Sequence, residues 1–244
     1  MITNLHQISN QAVYNQQRFD RIHQLEGTNG GRPYRDTTGN PSVGIGFNLR
    51  GSTAVRDLVF QEMRIDPADS GLSAAQQAAE SDYLDQLKSA TAVTYASTSA
   101  VQSALDGIMS ARAADPIFAG ITRITSLTTF IMTDPQMLAV FPTAAQEAES
   151  KVDAWLSGIA QSNERIALVS LAYNNLIGVN PGGTFKSPSL RQAIIDDNRA
   201  EAWYEIRYNS KGEVEKGSGV FYNHASSCNS RRRLKKPSSC VLAS

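Results

Sequence analysis

The chain of 244 residues is 41% hydrophobic and 19% charged, an ordinary balance for a soluble globular protein and enough to bury a sizeable core. No window approaches the ~20 consecutive apolar residues that cross a bilayer, and the start MITNLHQISN lacks the basic stretch and apolar run of a secretory signal. The formal net charge of zero hides an asymmetry: residues 231–236 hold five basic side chains, leaving a body with 18 Lys+Arg against 23 Asp+Glu, or −5. A basic tail on an acidic body suits contact with an anionic polymer such as a bacterial wall or nucleic acid, although its composition fits a solvated, unstructured end better. Both cysteines, Cys228 and Cys240, sit in this tail without a His or Cys at metal-ligand spacing. A disulfide framework would need more of them, and neither is assigned a catalytic role.

A first helix is predicted over residues 8–26, with Ser9 as N-cap and Val13, Phe19, Ile22 and Leu25 near one face. Gly27 stops it. Between Gly27 and Gly46 stand six glycines and two prolines, a density that forbids a helix and suits short strands joined by tight turns. Asp36-Thr37-Thr38-Gly39 is turn chemistry, and residues 42–47 alternate small with apolar like a short strand. Beyond Arg50 helices are predicted over residues 53–64, 73–89, 98–113, 144–159, 164–176, 189–196 and 199–208, with Asp66-Pro67 and Asp134-Pro135 as punctuation. Residues 91–143, rich in Ala, Thr and Ser, give the weakest pattern. From about residue 211 the periodicity fails, and a poorly ordered basic tail is expected over 211–244.

The chemistry concentrates in residues 26–46. Glu26 closes an amphipathic helix, Asp36 follows ten residues later in a turn, and the Ser42 hydroxyl comes six residues after that. Glycoside cleavage needs a proton for the leaving oxygen and a second group on the opposite face of the sugar. Two carboxylates in unlike surroundings take these roles when burial keeps one protonated and solvent keeps the other ionised. Spacing alone does not decide the matter, because acidic pairs ten residues apart are common as surface charge and an Asp before Thr-Thr-Gly is a routine turn former. His23, one turn before Glu26, reads as a helix-surface residue. Trp155 and Trp203 read as core or helix-packing side chains.

Taken together, Glu26-Gly27, Tyr34-Arg35-Asp36-Thr37-Thr38-Gly39 and Ser42-Val43-Gly44-Ile45-Gly46 resemble the active-site signature of T4-type phage lysozymes, in which Glu-Gly is followed by Tyr-x-Asp-x-x-Gly and Thr-x-Gly-x-Gly. The Asp-to-hydroxyl spacing equals the family's; the Glu-to-Asp spacing is one residue longer. Downstream, Arg165-Ile-Ala-Leu-Val-Ser-Leu-Ala-Tyr173-Asn174 resembles the family's central helix. Gly183-Thr-Phe185-Lys-Ser-Pro-Ser189-Leu190 is similar to its step into the next one, and residues 200–208 to the helix after that. The likeness covers roughly residues 10–50 and 160–210, and leaves a helical insertion over about 55–150 without a counterpart.

What the resemblance implies is an α+β, lysozyme-like catalytic domain over residues 1–210, with a small antiparallel sheet, a larger helical lobe and a cleft between them. It further implies a monomeric muramidase that cuts the β-1,4 bond between N-acetylmuramic acid and N-acetylglucosamine in peptidoglycan, without metal or cofactor, nucleic acid or stable membrane insertion. Such an enzyme would be made in the cytoplasm and reach the wall after release. Glu26 would be the general acid, Asp36 the base or charge stabiliser, and Ser42, where the family has Thr, the hydroxyl that holds water. Asn48, Tyr173, Asn174 and Ser189 would contact substrate. Ser42 and the divergent tail also leave open a wall-binding module of a phage or secretion system with weak or no turnover. A lytic transglycosylase working with one Glu is a third reading.

Overall fold

The computed structural model describes residues 3–27 and 29–208, with Glu26, Arg207 and Tyr208 described by their backbone alone. The predicted tail, both cysteines and the basic run lie outside the described residues. The first helix, α1 (Gln11–Glu26), begins later than its apolar pattern suggests. Asn10, not Ser9, caps it, its side-chain oxygen accepting from the N–H groups of Ala12 at 2.9 Å and Val13 at 3.1 Å. Val13 faces solvent, so the apolar stripe of α1 is narrower than predicted, while Phe19 and Ile22 are buried. Gly27 ends the helix at φ 68°, a conformation that glycine adopts without a Cβ penalty, and its N–H returns to His23 O at 3.0 Å.

Three short strands follow, β1 (Pro33–Arg35), β2 (Pro41–Val43) and β3 (Phe47–Asn48), antiparallel in that order. Residues 42–47 are therefore a hairpin and not the single strand predicted. Gly44 and Gly46 both take positive φ, which turns the chain, and Ile45 between them plugs into the core. The remaining elements are mainly helices: α2 (Thr53–Glu62), α3 (Ala74–Thr91), α4 (Thr98–Ala114), α5 (Thr122–Thr125), α6 (Asp134–Trp155), α7 (Asn163–Tyr173), α8 (Pro188–Ile195) and α9 (Arg199–Tyr208).

The largest departure is α6, which starts ten residues before its predicted start at residue 144. Pro135 does not break a helix here. It sits in the first turn, where its missing N–H costs nothing, behind a capping box made by Thr133 and Gln136. No helix of the described residues is long and apolar enough to cross a membrane.

One hydrophobic core unites Phe19 and Ile22 of α1, Val43, Phe47 and Leu49 of the sheet region, Phe60 of α2, Leu105 of α4, Phe141 and Trp155 of α6 and Val169 of α7. Each such side chain contributes roughly 1.5–3 kcal/mol by leaving water. Residues 55–150 thus supply a shared core and do not hang from it as an appendage. They also hold the sheet directly. Arg32 reaches Asp106 at 2.6 Å, Gln102 donates to Pro33 O at 3.0 Å, and Arg35 Nε donates to Tyr95 O at 2.8 Å. Trp155 is fully buried, its indole N–H bonded to Lys186 O at 2.7 Å, as a packing role predicts. Trp203 is 58% exposed, contrary to that expectation. On the far side of α1, Glu149 of α6 gathers the guanidinium groups of Arg18 and Arg165 and the Tyr14 hydroxyl. That cluster locks α1 onto α6 and α7.

Candidate functional site

Glu26 is the last residue of α1, and the chain leaves the helix through Gly27. Gly27, Asn29, Tyr34, Gly44 and Thr98 line a cleft of about 420 Å³. The end of α1, the first strand, the hairpin turn and the start of α4 therefore border one space. A second cleft of about 270 Å³ lies beyond the turn, lined in part by Gly46, Asn48, Ser52, Lys151 and Tyr173. Gly44 lines the first cleft and Gly46 the second, so two residues of one turn separate them.

Strand register explains how the sheet addresses both. Ser42 stands directly opposite Tyr34 on β1 and Asn48 on β3. Cross-strand partners point to the same face, so these three side chains form one row, with Tyr34 at the first cleft, Asn48 at the second and Ser42 between them. Ser42 is 2% exposed, and neither it nor Asp36 lines either cleft.

Asp36 opens the turn between β1 and β2. Its Oδ1 accepts from the Thr38 N–H, the Thr38 hydroxyl and the Asn40 N–H, each at 2.8 Å. Its Oδ2 accepts from Asn40 Nδ2 at 3.2 Å. Partial burial alone pushes the carboxyl upward, but the donors from Thr38 and Asn40 together outweigh it and hold Asp36 below the usual carboxylate range. Asp36 is thus an ionised group that also shapes its own turn.

The remaining predicted residues divide. Asn48 and Tyr173 line the same cleft. Asn48 Oδ1 is engaged locally, accepting from the N–H groups of Arg50 at 2.9 Å and Gly51 at 2.8 Å. Tyr173 donates its hydroxyl to Ile45 O at 3.3 Å and packs its ring against Phe141. Asn174 caps α7 and bonds back to Ser170 O at 3.1 Å, and Ser189 lies in the first turn of α8. Neither Asn174 nor Ser189 lines either cleft.

Sequence reasoning missed Thr98, Ser52, Glu147 and Lys151 as cleft residues. Thr98 and Glu147 lie in the segment without a counterpart in the resemblance, and Ser52 and Lys151 lie just outside its two ends. Their visible signals were structural ones, a helix start and an i, i+4 charge pair. His23 packs on the Phe19 ring and lies 3.5 Å from Asp134, a partner on α6 that the sequence did not suggest.

Among the described residues no group of three or more His, Cys, Asp or Glu is placed to share a metal ion. No family model matches the chain, and neither the curated proteins nor the solved structures yield a match.

Proposed function

We propose that the chain is a peptidoglycan hydrolase with a lysozyme-like arrangement, a muramidase in which Glu26 is the general acid. One observation carries this reading. The residue that follows Glu26 lines a cleft whose other walls include Tyr34 and Gly44 of the glycine-rich sheet region, and the ionised Asp36 opens the turn after β1 of that sheet. The helix end and the sheet that the resemblance pairs around a sugar strand thus border one space. In this scheme Glu26 protonates the glycosidic oxygen as the bond breaks. Asp36 stabilises positive charge at the anomeric carbon or accepts a proton from the attacking water, which the Ser42 hydroxyl holds. Attack from the face opposite the leaving group inverts the anomeric centre.

The hydrogen bonds of Asp36 favour a second reading within the same chemistry. Both of its oxygens already accept donors from their own turn, which weakens it as a proton acceptor. Glu26 acting alone would instead form an intramolecular anhydro-sugar, as lytic transglycosylases do.

Turbidity loss of purified peptidoglycan, with the unaltered protein beside Glu26→Gln, tests the proposal. Gln keeps the shape and cannot donate the proton, so clearing drops by ~10²–10⁴-fold. Equal clearing by both removes Glu26 from the mechanism. Product masses separate the two readings, since hydrolysis adds a water to each cut and anhydro-sugar formation does not. No clearing by either, with co-sedimentation on peptidoglycan retained, assigns a binding module.

A further inference from the structure

Asp36 lines neither cleft, so what it contributes depends on how its turn is held. Two of the donors on its carboxylate trace back to one amide. Asn40 Nδ2 donates to Asp36 Oδ2 at 3.2 Å and to Thr38 Oγ1 at 2.6 Å. A hydroxyl that accepts on one side turns its own proton to another, and the Thr38 hydroxyl gives it to Asp36 Oδ1 at 2.8 Å. The sense in which the Asn40 amide points therefore governs donors on both carboxylate oxygens.

Arg50 fixes that sense. Its Nη1 donates to Asn40 Oδ1 at 3.0 Å, which commits the amide oxygen to the guanidinium and leaves the NH2 to face Asp36. A reversed amide would set NH2 against guanidinium and oxygen against carboxylate, two repulsive contacts in place of two attractive ones. Arg50 is itself braced, since its Nε donates at 3.1 Å to the carbonyl of Ala92, the residue that caps the C-terminal end of α3. One planar fork thus joins the end of α3 to the turn, a span that a single ammonium would not bridge.

Residues 92–97, which connect α3 to α4, hold the same turn at further points. Tyr95 N–H donates to Gly39 O at 2.8 Å. Arg35 Nε donates to Tyr95 O at 2.8 Å, and its Nη1 reaches Asp36 O at 3.2 Å. The Tyr95 hydroxyl bonds to Ala90 O at 2.7 Å, which fastens the connection to α3. Arg35 and Arg50 are the cations bonded to the turn, and residues 92–97 bring no charged side chain to it. The Arg35 guanidinium grips main-chain carbonyls, whereas that of Arg50 reaches the side chains that carry Asp36.

We propose that Arg50 is a positioning residue for Asp36, acting through the Asn40 amide and braced against the C-terminal end of α3. This rests on the hydrolase reading, in which Asp36 stabilises charge or accepts a proton. It also gives the connection between α3 and α4, part of the segment without a counterpart in the resemblance, a share in the reaction.

The test uses the full chain with Arg50→Met, Arg50→Lys, Asn40→Ala and the double variant of Arg50→Met with Asn40→Ala. Three quantities are read for each: kcat and KM on solubilised peptidoglycan across pH, the Asp36 carboxyl titration by carbon-detected NMR, and stability in urea. Arg50→Met should lower kcat about tenfold, the scale of one hydrogen bond, with KM unchanged. Asp36 should then titrate at higher pH, and the acid limb of turnover should move up with it, because a carboxylate with weaker donors holds its proton longer. Arg50→Lys keeps the charge and loses the fork, so its kcat should fall as in Arg50→Met. Asn40→Ala should give the same loss, and the double variant should add nothing to it, because both substitutions cut one link. A brace with no positioning role would lower stability and leave both kcat per folded molecule and the Asp36 titration in place. That result overturns the proposal, as do full activity in Arg50→Lys and losses that add in the double variant. An Asp36 titration indifferent to Arg50 overturns it whether or not the protein turns over peptidoglycan. No turnover by the unaltered protein, with the titration still dependent on Arg50 through Asn40, would instead sink the hydrolase reading and leave the link from Arg50 to Asp36 standing.

Discussion

The hydroxyls of Tyr34 and Tyr173 converge on the open side of Gly46. A Cβ placed there would lie 3.8 Å from the first and 3.7 Å from the second. One tyrosine lines each cleft, so Gly46 marks the point where the sheet and α7 close on one another. These distances are ordinary contacts, and space alone would admit a methyl group. The backbone would not, because Gly46 sits at φ +99°. Gly46→Ala is expected to cost about 1–2 kcal/mol, or a few degrees in Tm. Gly31 is another case. Its added Cβ would fall 1.9 Å from Met132 O, while Met132 N–H donates to Gly31 O at 3.0 Å and pins the two backbones together. Gly31→Ala should therefore exceed ~4 kcal/mol. Urea unfolding of the two variants checks the order, and equal losses would contradict it.

Asp36 links turn stability to pH. Its folded carboxyl is held below the unfolded value by the donors of Thr38 and Asn40 acting against desolvation. The stabilisation is therefore present above the unfolded value of ~3.9 and is lost as pH falls through the folded one. Asp36→Asn should cost ~1 kcal/mol at neutral pH, with the difference from the unaltered protein closing in acid. If Asp36 also serves as the base, peptidoglycan turnover falls by ~10²–10⁴-fold under conditions where the variant remains folded. A rate loss no larger than the unfolded fraction would confine Asp36 to the turn.

The helices were legible where local chemistry and burial agree. The capping box at Ser73 and the cap at Ser52 mark real starts, and α9 falls within its predicted bounds. The start of α6 was missed because Asp134-Pro135 was read as a break, when the Thr133-x-x-Gln136 box made it a beginning. Ser42 to Phe47 alternates like a strand, yet two positive-φ glycines turn it into a hairpin, since a turn glycine and a strand glycine look alike in sequence. Within the site, the cluster around the hairpin was visible because its residues are close in sequence. Lys151 and Thr98 were not, because only tertiary packing brings α6 and α4 to the clefts.

Glu164 provides a second acid-sensitive contact. Burial works to raise its carboxyl, but hydrogen bonds from His6 and Arg199 and its own backbone bring it down from 4.5 to about 2. Its contribution is complete above pH 4.5 and disappears as pH falls toward 2. Arg199 and His6 are largely exposed, so solvent screening reduces the effect to the order of 1–2 kcal/mol. Glu164→Gln should flatten the stability profile across that interval. A profile as steep as that of the unaltered protein would show that other carboxylates dominate acid unfolding.

Arg112 and Glu80 are 0% and 1% exposed, and form a bidentate pair at 2.8 and 2.6 Å. Arg112 Nη2 also donates to Arg64 O at 2.9 Å, tying the end of α2 to α3 and α4, while its Nη1 is buried without a hydrogen-bond partner among the described residues. Desolvating two charges offsets most of their attraction, so the intact pair adds little net stability, whereas half a pair is costly. Glu80→Leu or Arg112→Met alone should lose about 3–5 kcal/mol, because each leaves a charge buried without its partner. The double variant should recover most of that loss. A double-mutant cycle by chemical denaturation measures it, and losses that simply add would show the pair to be uncoupled. Recovery should extend to function, because the pair anchors α4, whose Thr98 lines the first cleft and whose Gln102 holds β1. Peptidoglycan clearing by the double variant should then approach that of the unaltered protein, even though no charge remains between α3 and α4 at that point.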